Sequence, residues 1–484
     1  MKANLILRSS AAAGALGSVL LAAACAGAPP VAAPAPAEGA NGSANGSSSA
    51  AHGALGVDVG NFDRSVRPQD DFYHFVNGGW LKANEIPADR SRIGSFIELR
   101  DSSEAALHAL LEQAAAAPNK QPGSDLQKVG DYYASYMDSA RVEQLGIEPL
   151  RAELQQVAAV NDKAGLPDLF AHVQRLGVQT PFSMSVGQDA KQATRYIVYL
   201  SQSGLGMPDR DYYLKPEAKF AETRQAYLRY IETLLAKAGE NDAAGAARAI
   251  LALETKLAEA QWERAKNRDR EATYNVRSVA ALERMTPAFS WSRYLAAAGV
   301  EQTPAIVVRQ PDYLEAMNGV LASTPLPVLK QYLTFKLVDT YASVLSSDFV
   351  NADFDFSGRV LQGISEQRPR WKRAVGAVDG ALGEVTGRLY VEQHFRPEAK
   401  ARMQELVANL VAAFEQGIDE LEWMGPETKA QARDKLARFN VKIGYPDQWR
   451  DYSALEVRAG DLAGNVMRAR EFGYNRMVGR LGKP

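Results

Sequence analysis

The chain has 484 residues, of which 46% are apolar and 23% are charged. That is enough for roughly two or three domain-sized units or one large helical body. The 55 Lys and Arg residues nearly balance the 57 Asp and Glu residues, and the formal net charge is −2. This balance excludes a strong global field that would attract nucleic acid. We therefore expect no nucleic-acid partner, which leaves proteins, peptides and small molecules.

Residues 1–24 have the pattern of an export signal. Lys2 and Arg8 give a positive start, and the run "AAAGALGSVLLAAA" is apolar but too short to span a bilayer comfortably. Small residues follow this run. The sequence predicts a signal peptide over 1–24 and an exported protein.

Cys25 is the only cysteine, and it directly follows three alanines. One interpretation is an incidental cysteine beside an Ala-x-Ala cleavage site. The other is the lipobox of a bacterial lipoprotein, in which this thiol becomes the lipid attachment point. The lipobox is favoured because the chain offers no disulfide partner, although Ala22 stands where a lipobox usually has Leu. We expect a lipoprotein that is anchored in a bacterial membrane by its acyl chains and faces the periplasm or the cell exterior.

Residues 25–57 are predicted to form a flexible tether. After Cys25 the sequence is almost entirely Ala, Pro, Gly and Ser up to about residue 56. Such a segment cannot bury enough apolar surface to offset the entropy of ordering it. The globular body is expected to begin at residue 58.

The body has mostly helical periodicity. Pro397 is placed to start a long amphipathic helix that packs against a core, and its apolar stripe has spacings of three and four. The stripe consists of Met403, Leu406, Val407, Leu410, Val411, Phe414, Ile418 and Leu421. Another helix is expected near Asp101, which has capping-box spacing to Glu104.

Further helices are predicted over 127–138, 215–237, 243–265, 326–344 and 427–439. Strand-like runs are few, and the best lie at 195–202 and 305–310. The expected fold class is therefore predominantly α-helical, with minor short β strands.

The aromatic stretch from Asp70 to Phe96 is predicted to begin with a short helix. Asp70 or Asp71 can cap it, and the aromatic side chains at 72, 73 and 75 are expected to point inward. The run Asn77-Gly78-Gly79 is expected to end the helix through a positive-φ turn.

No metal site is predicted, because none of the five histidines belongs to an H-E-x-x-H motif. The nearest imitations pair His394 with Glu398, and His74 with the preceding aspartates. Pro397 interrupts the first pair, and the aspartates of the second serve better as helix caps. There is also no G-x-S-x-G elbow, and "GLGMPD" at 204–209 is interpreted as a turn. We expect neither catalytic residues nor metal ligands in this chain.

Three arginines, Arg90, Arg92 and Arg100, lie on or beside a loop that leads into a helix. One interpretation is a set of ion pairs with nearby acids. The other is that Arg92 holds the terminal carboxylate of a peptide with two parallel hydrogen bonds.

Several blocks of the sequence resemble the neprilysin and endothelin-converting-enzyme family of zinc metallopeptidases, in the family's order. They are "DDFYHFVNGGWLKANEIPADRSRIGSFIELRD", "LGMPDRDYYL", "GRLYVEQHF", "LEWMGPETKAQARDKLARF" and "KIGYPDQWRDYS". The resemblance extends over residues 57–484. It implies the large multi-helix lobe of a gluzincin-type endopeptidase, which cleaves short peptides in a cavity between two mainly helical lobes.

In that family, the two histidines of an H-E-x-x-H helix and a downstream glutamate hold the zinc, and the glutamate of the motif acts as the base. None of these elements is present in the 484 residues. The resemblance implies zinc for the complete family enzyme and none bound by this chain, which should be inactive alone. Residues 58–484 are then the substrate-restricting N-terminal domain, and the catalytic lobe expected beyond Pro484 is its missing partner.

The resemblance also bears on the arginine loop. The family's substrate-side arginine matches Arg92 by its place in "RSRIGSFIELRD", which makes Arg92 the expected substrate-binding residue for short peptides. Ile97 stands where some relatives have Asp, which is a departure from the family's pattern. The alternative function is a complete, non-catalytic lipoprotein that binds peptides or other partners.

Overall fold

The computed structural model of the chain describes residues 57–483. The predicted signal peptide, Cys25 and nearly all of the predicted tether lie outside the described residues. The described chain divides into two compact units. Unit 1 comprises residues 57–103 and 390–448, and unit 2 comprises residues 104–389 and 449–483.

Helices dominate the described chain, which confirms the predicted fold class. In order they are α1 (Phe72–Ala83), α2 (Ser95–Ala116), α3 (Asp125–Met137), α4 (Ser139–Leu145), α5 (Arg151–Ala159), α6 (Leu166–Arg175), α7 (Asp211–Leu214), α8 (Ala218–Lys237), α9 (Ala243–Ala260), α10 (Val279–Met285), α11 (Trp291–Ala297), α12 (Pro311–Ser323), α13 (Leu326–Tyr341), α14 (Ser347–Asp353), α15 (Arg370–His394), α16 (Pro397–Glu420), α17 (Pro426–Ala437) and α18 (Leu462–Val478). A π-helical segment, Phe354–Val360, follows α14. No helix among residues 57–483 has the length and apolarity that a membrane crossing requires.

Unit 2 contains a small mixed sheet with the strand order β1-β2-β4-β3. The strands are β1 (Phe182–Gln188), β2 (Tyr196–Gln202), β3 (Asn275–Arg277) and β4 (Ile306–Val308). β1 and β3 are antiparallel to their neighbours, and β2 is parallel to β4. The two predicted strands, β2 and β4, are therefore confirmed. β1 was missed because serines and a glycine alternate with its buried side chains.

The core of unit 2 is rich in aromatic side chains. Phe170, Phe182, Phe289, Trp291 and Tyr294 are all at most 2% exposed. Phe182 lies at the centre of this cluster, with its ring centroid 4.9 Å from Trp291 and 5.0 Å from Tyr294. Burial of each such ring contributes on the order of 2 kcal/mol. Unit 2 therefore has a dense core of its own.

Unit 1 has very little core. Among its described apolar side chains only Met403 and Val407, both on α16, are buried. Its exposed large apolar side chains are Val57, Val59, Phe72, Tyr73, Leu81, Ile86, Phe96, Leu99, Leu406, Leu410, Phe414, Trp423, Phe439 and Val441. The prediction that α16 packs against a core is therefore met only at Met403 and Val407. Leu406, Leu410 and Phe414 remain in solvent.

The helix predicted to begin at Asp70 or Asp71 is confirmed as α1, and Asp71 accepts the hydrogen bond of its N-cap. Its predicted end at Gly78-Gly79 is wrong, because α1 continues to Ala83. The glycines serve a close approach instead. A Cβ on Gly78 would lie 2.5 Å from the Cβ of Asp63, and one on Gly79 would lie 2.8 Å from the carbonyl oxygen of Asn61.

Two of the three aromatic side chains expected to point inward from α1 do not. Phe72 is 68% exposed and Tyr73 is 61% exposed. Only Phe75 finds a ring partner within unit 1 outside its own helix, with its centroid 5.1 Å from that of Phe62. Phe72 and Tyr73 are exposed because unit 1 has little core, which is also why the apolar side chains of α16 are exposed.

An ion pair joins the described segment before α1 to that helix. Lys82 Nζ lies 2.7 Å from Asp63 Oδ2, and Ser65 donates from both its backbone and its hydroxyl to Asp63. These hydrogen bonds, with the one from Lys82 the strongest, lower the pKa of Asp63 to about 2. Asp63 therefore stays ionised over the physiological range.

Candidate functional site

The loop between α1 and α2 carries Arg90 and Arg92. α2 begins at Ser95, six residues before the predicted start at Asp101. Asp101 is therefore not a helix cap but lies in the second turn of α2, where Arg90 Nη1 contacts it at 2.7 Å. Arg90 also contacts the neighbouring Asp89 at 3.2 Å and is only 14% exposed. The hydrogen bond to Asp101 raises the pKa of Arg90. For Arg90, the interpretation as an ion pair with nearby acids is therefore the correct one.

Arg92 has a different environment. Its side chain is exposed, and it makes no hydrogen bond, ion pair or ring contact with any residue between 57 and 483. Gly94 follows with φ +154° and open space around its α-carbon, and its carbonyl accepts from the amides of Ile97 and Glu98 at the start of α2. The guanidinium of Arg92 is thus unpaired, whereas the guanidinium of Arg90 on the same loop is ion-paired with Asp101.

Arg100, the third arginine, also lies in solvent without a partner among the described residues. Near Arg92 in the sequence, three large apolar side chains are exposed: Ile86 at 56%, Phe96 at 67% and Leu99 at 39%. An unpaired guanidinium with exposed apolar side chains near it in the sequence suits a ligand with both a carboxylate and apolar groups. A peptide terminus has that chemistry.

The residues from 57 to 483 contain no group of three or more His, Cys, Asp and Glu side chains that could hold a metal ion. The four described histidines have other partners. His74 Nδ1 lies 2.7 Å from Asp71, and His172 Nε2 lies 2.5 Å from Glu153. His108 stacks on Trp371 at 4.2 Å, and His394 packs on Tyr390 at the end of α15. As predicted, Pro397 starts a new helix beyond His394.

Unit 2 contains a buried polar cluster that the sequence did not reveal. Glu254 on α9 accepts hydrogen bonds from the hydroxyls of Tyr213 at 2.6 Å and Tyr227 at 2.9 Å. The amide of Gly206 also donates to it at 3.3 Å, and Lys336 Nζ lies 2.8 Å away. Glu254 and Lys336 are 0% and 2% exposed. No local pattern could predict this, because the partners come from separate helices and a loop.

The segment 204–209, predicted to be a turn, is a loop and lines a large cavity. The cavity has a volume of about 910 Å³ and is formed entirely by unit 2. Gly206 must lack a side chain here, because a Cβ would lie 1.8 Å from the hydroxyl of Tyr227. Lys336, Asp339 and Arg470 also line the cavity.

Comparison with known proteins identifies the class. Residues 68–446 match peptidase family M13. The chain therefore belongs to this family, the neprilysin and endothelin-converting-enzyme family of zinc metallopeptidases, as its sequence blocks predicted.

Endothelin-converting enzyme 1 of Bos taurus is 29% identical over 446 residues, which cover 88% of this chain and 58% of that protein. The same enzyme of Cavia porcellus is 30% identical over 412 residues, or 82% of this chain and 54% of that protein.

Solved structures show the same fold. The Mycobacterium tuberculosis zinc metalloprotease Zmp1 in complex with an inhibitor matches with a TM-score of 0.83 and 38% identity, over 88% of this chain and 65% of that one. PepO from Lactobacillus rhamnosis HN001, at 23% identity and a TM-score of 0.74, supports the fold alone. The chain spans less than two thirds of the length of the two endothelin-converting enzymes and of Zmp1.

Proposed function

We propose that this chain is the N-terminal, substrate-binding part of a zinc metalloendopeptidase that hydrolyses short peptides. In this account the zinc lobe is carried by polypeptide outside these 484 residues and is the principal partner of the chain. The protein is exported, and its lipid anchor is attached at Cys25. The 25–57 segment tethers the body, from residue 58 onward, to a bacterial membrane.

The observation that carries this proposal is the exposed apolar surface of unit 1. On α16 the stripe of Leu406, Leu410 and Phe414 has the i, i+4, i+8 spacing with which one helix packs against another. An apolar surface of this extent marks an interaction site. Family relatives have polypeptide that this chain does not cover, amounting to more than a third of their length. That polypeptide is the proposed occupant.

Zinc does not fit the donor atoms of residues 57–483. The sequence has no H-E-x-x-H, and the part of the chain that the structure describes brings together no group of metal-binding side chains. We therefore assign no reaction step to residues of this chain. Its proposed contribution is to bind and orient the peptide.

Arg92 is the proposed binding residue for that peptide. A guanidinium without a protein carboxylate can donate two parallel hydrogen bonds to the terminal carboxylate of a peptide. Ile86, Phe96 and Leu99 then offer apolar surface to the adjoining side chains. The Arg90–Asp101 ion pair positions the loop without using Arg92.

A fusion tests the proposal. The 484-residue chain is joined in frame to the part of Mycobacterium tuberculosis Zmp1 that it does not cover, and both proteins are assayed with a quenched short peptide. We expect the fusion to contain about one zinc per chain and to cleave the peptide until a chelator is added. The unfused chain should contain no stoichiometric zinc and should not cleave the peptide.

Two results would contradict the proposal. One is zinc-dependent cleavage by the unfused chain, which would place a catalytic centre within it. The other is a fusion that folds and binds zinc but cleaves no peptide. The second result would favour the alternative, a non-catalytic peptide-binding lipoprotein that still uses Arg92.

A further inference from the structure

Charged side chains line the cavity in unit 2. Three of the lining residues, Lys336, Asp339 and Thr340, are on α13. Lys336 forms its ion pair with Glu254, at 2.8 Å, and not with Asp339. This leaves the carboxylate of Asp339 without a cationic partner among the described residues.

Among the described residues, the carboxylate of Asp339 accepts a side-chain hydrogen bond from one neutral group only. The hydroxyl of Tyr230 donates to its Oδ1 at 2.5 Å. Burial raises the pKa of Asp339 from 3.8 to about 6, and Lys336 only partly opposes this rise. The fold is therefore less stable with this carboxylate ionised. Such costs concentrate at binding sites, where the ligand provides the missing partner.

Arg470, on α18, lines the same cavity and also has no carboxylate partner among the described residues. It is nevertheless firmly placed. Its guanidinium lies over the ring of Tyr341 at 4.7 Å and contacts the carbonyls of Leu176 and Thr340 at 3.3 and 3.4 Å. Gly177 makes room for it, because a Cβ there would lie 2.9 Å from Arg470 Cδ.

The other charged residues that line the cavity are already paired. Their ion pairs are Arg264–Asp209 at 2.8 Å, Lys215–Asp211 at 2.8 Å and Arg210–Glu263 at 3.5 Å. Among the charged residues lining this cavity, only Asp339 and Arg470 lack an ion-pair partner in the described chain. The cavity therefore offers one unmatched negative charge and one unmatched positive charge.

We propose that this cavity binds a zwitterionic ligand, either a free amino acid or a short peptide, with its ammonium on Asp339 and its carboxylate on Arg470. A volume of about 910 Å³ is within the range of small-molecule sites and is sufficient for a di- or tripeptide. Leu205, Met207 and Leu361 provide apolar lining for its side chains. Arg92 is not among the residues that line this cavity, and the inference does not depend on the proposed peptidase role.

Titration calorimetry on the full chain tests this proposal, with the dipeptide Gly-Leu as the probe. We expect Gly-Leu to bind with one-to-one stoichiometry. N-acetylation should remove the charge that faces Asp339, and C-terminal amidation the charge that faces Arg470. Each change should weaken binding about tenfold or more, because each leaves a partly buried charge unmatched.

Variants assign the two ends of the ligand. Asp339→Asn keeps the acceptor for Tyr230, and it should bind Gly-Leu about tenfold more weakly and no longer distinguish it from the N-acetyl form. Arg470→Gln should likewise lose the discrimination against the amide. Lys215→Gln, which changes a paired charge at the same cavity, is the matched control and should bind as the unchanged chain does. Titration of Gly-Leu into Arg92→Gln measures binding at this cavity without the carboxylate site proposed on the loop.

The proposal is overturned if the folded chain binds no Gly-Leu at millimolar concentrations. It is also overturned if binding survives Asp339→Asn with its preference for the free amine intact. Circular dichroism shows whether each variant is folded. Should Arg470→Gln not fold, the comparison of the amine and acetyl forms in Asp339→Asn still decides the outcome.

Discussion

Arg90 Nη1 lies 2.7 Å from Asp101 Oδ2, and this ion pair joins the loop before α2 to the second turn of that helix. Two residues further along, Arg92 makes no hydrogen bond, ion pair or ring contact with any described residue. The loop therefore contains one arginine that holds its conformation and one that is available to a ligand.

The Arg90–Asp101 pair should contribute measurably to stability. Arg90 is 14% exposed and Asp101 is 34% exposed, so solvent screens the pair only in part. A double-mutant cycle with Arg90→Gln and Asp101→Asn should give a coupling of about 1 kcal/mol in chemical denaturation. Arg92→Gln is the matched control and should change the free energy of unfolding by less than about 0.5 kcal/mol. A coupling of zero would mean that the pair does not hold the loop.

The Lys336–Glu254 pair should be far more sensitive to the loss of one partner. Both side chains are almost fully buried, so Lys336→Met leaves the charge of Glu254 uncompensated. We expect a loss of about 3–5 kcal/mol in the free energy of unfolding, and partial recovery when Glu254→Gln is added. Lys215→Met, at an exposed pair, serves as the control and should cost less than about 1 kcal/mol. Equal losses for both lysines would contradict the assigned burial.

Asp339 should make stability depend on pH. Its pKa is raised from 3.8 to about 6 in the folded chain by burial, against the opposing field of Lys336, with smaller contributions from Asp353 and Glu254 that raise it further. Between about pH 4 and pH 6 the folded chain binds more protons than the unfolded chain. The free energy of unfolding therefore falls as pH rises through this window, by about 3 kcal/mol in total.

Asp339→Asn removes that dependence. Relative to the unchanged chain, the variant should gain about 3 kcal/mol in the free energy of unfolding between about pH 4 and pH 7. Urea denaturation at several pH values measures this difference. A difference that stays constant across the window would show that Asp339 is not the titrating group.

The apolar stripe of α16 should contribute little to the stability of this chain. Leu406 is 40% exposed and Phe414 is 48% exposed, whereas Met403 on the same stripe is 6% exposed. Leu406→Glu with Phe414→Glu should cost less than about 1 kcal/mol and should lower the binding of an apolar dye. Met403→Ala should cost about 2–5 kcal/mol. Hydrogen exchange of the α16 amides, together with denaturation, distinguishes this pattern from a stripe that is buried throughout.

Local signals predicted much of the fold. The helix start at Asp71, the new helix at Pro397 and the strands β2 and β4 follow from caps, proline chemistry and apolar runs. What failed depended on contacts distant in the sequence. Periodicity identified the α16 stripe but could not show that three of its eight side chains, Leu406, Leu410 and Phe414, are exposed. Similarly, Gly78-Gly79 resembled a helix end, although the pair instead allows residues 58–63 to approach α1.

Of the two candidate sites, one was predicted from the sequence and the other was not. Arg92 was identified by its place in a family-like block, and its freedom from ion pairs was apparent only once Arg90 was seen to occupy Asp101. The cavity in unit 2 was missed, because Asp339 and Arg470 lie on helices far apart in the chain and neither belongs to a motif.

The most direct test of the account is the effect of Arg92→Gln on kcat/KM in the zinc-containing fusion, measured with one short peptide as its free acid and as its C-terminal amide. We predict a fall of about tenfold for the acid and little change for the amide, because only the acid has the carboxylate that Arg92 binds. Arg100→Gln, at the other unpaired arginine of this region, should change neither. Equal effects of Arg92→Gln on acid and amide, or no effect on either, would contradict the account.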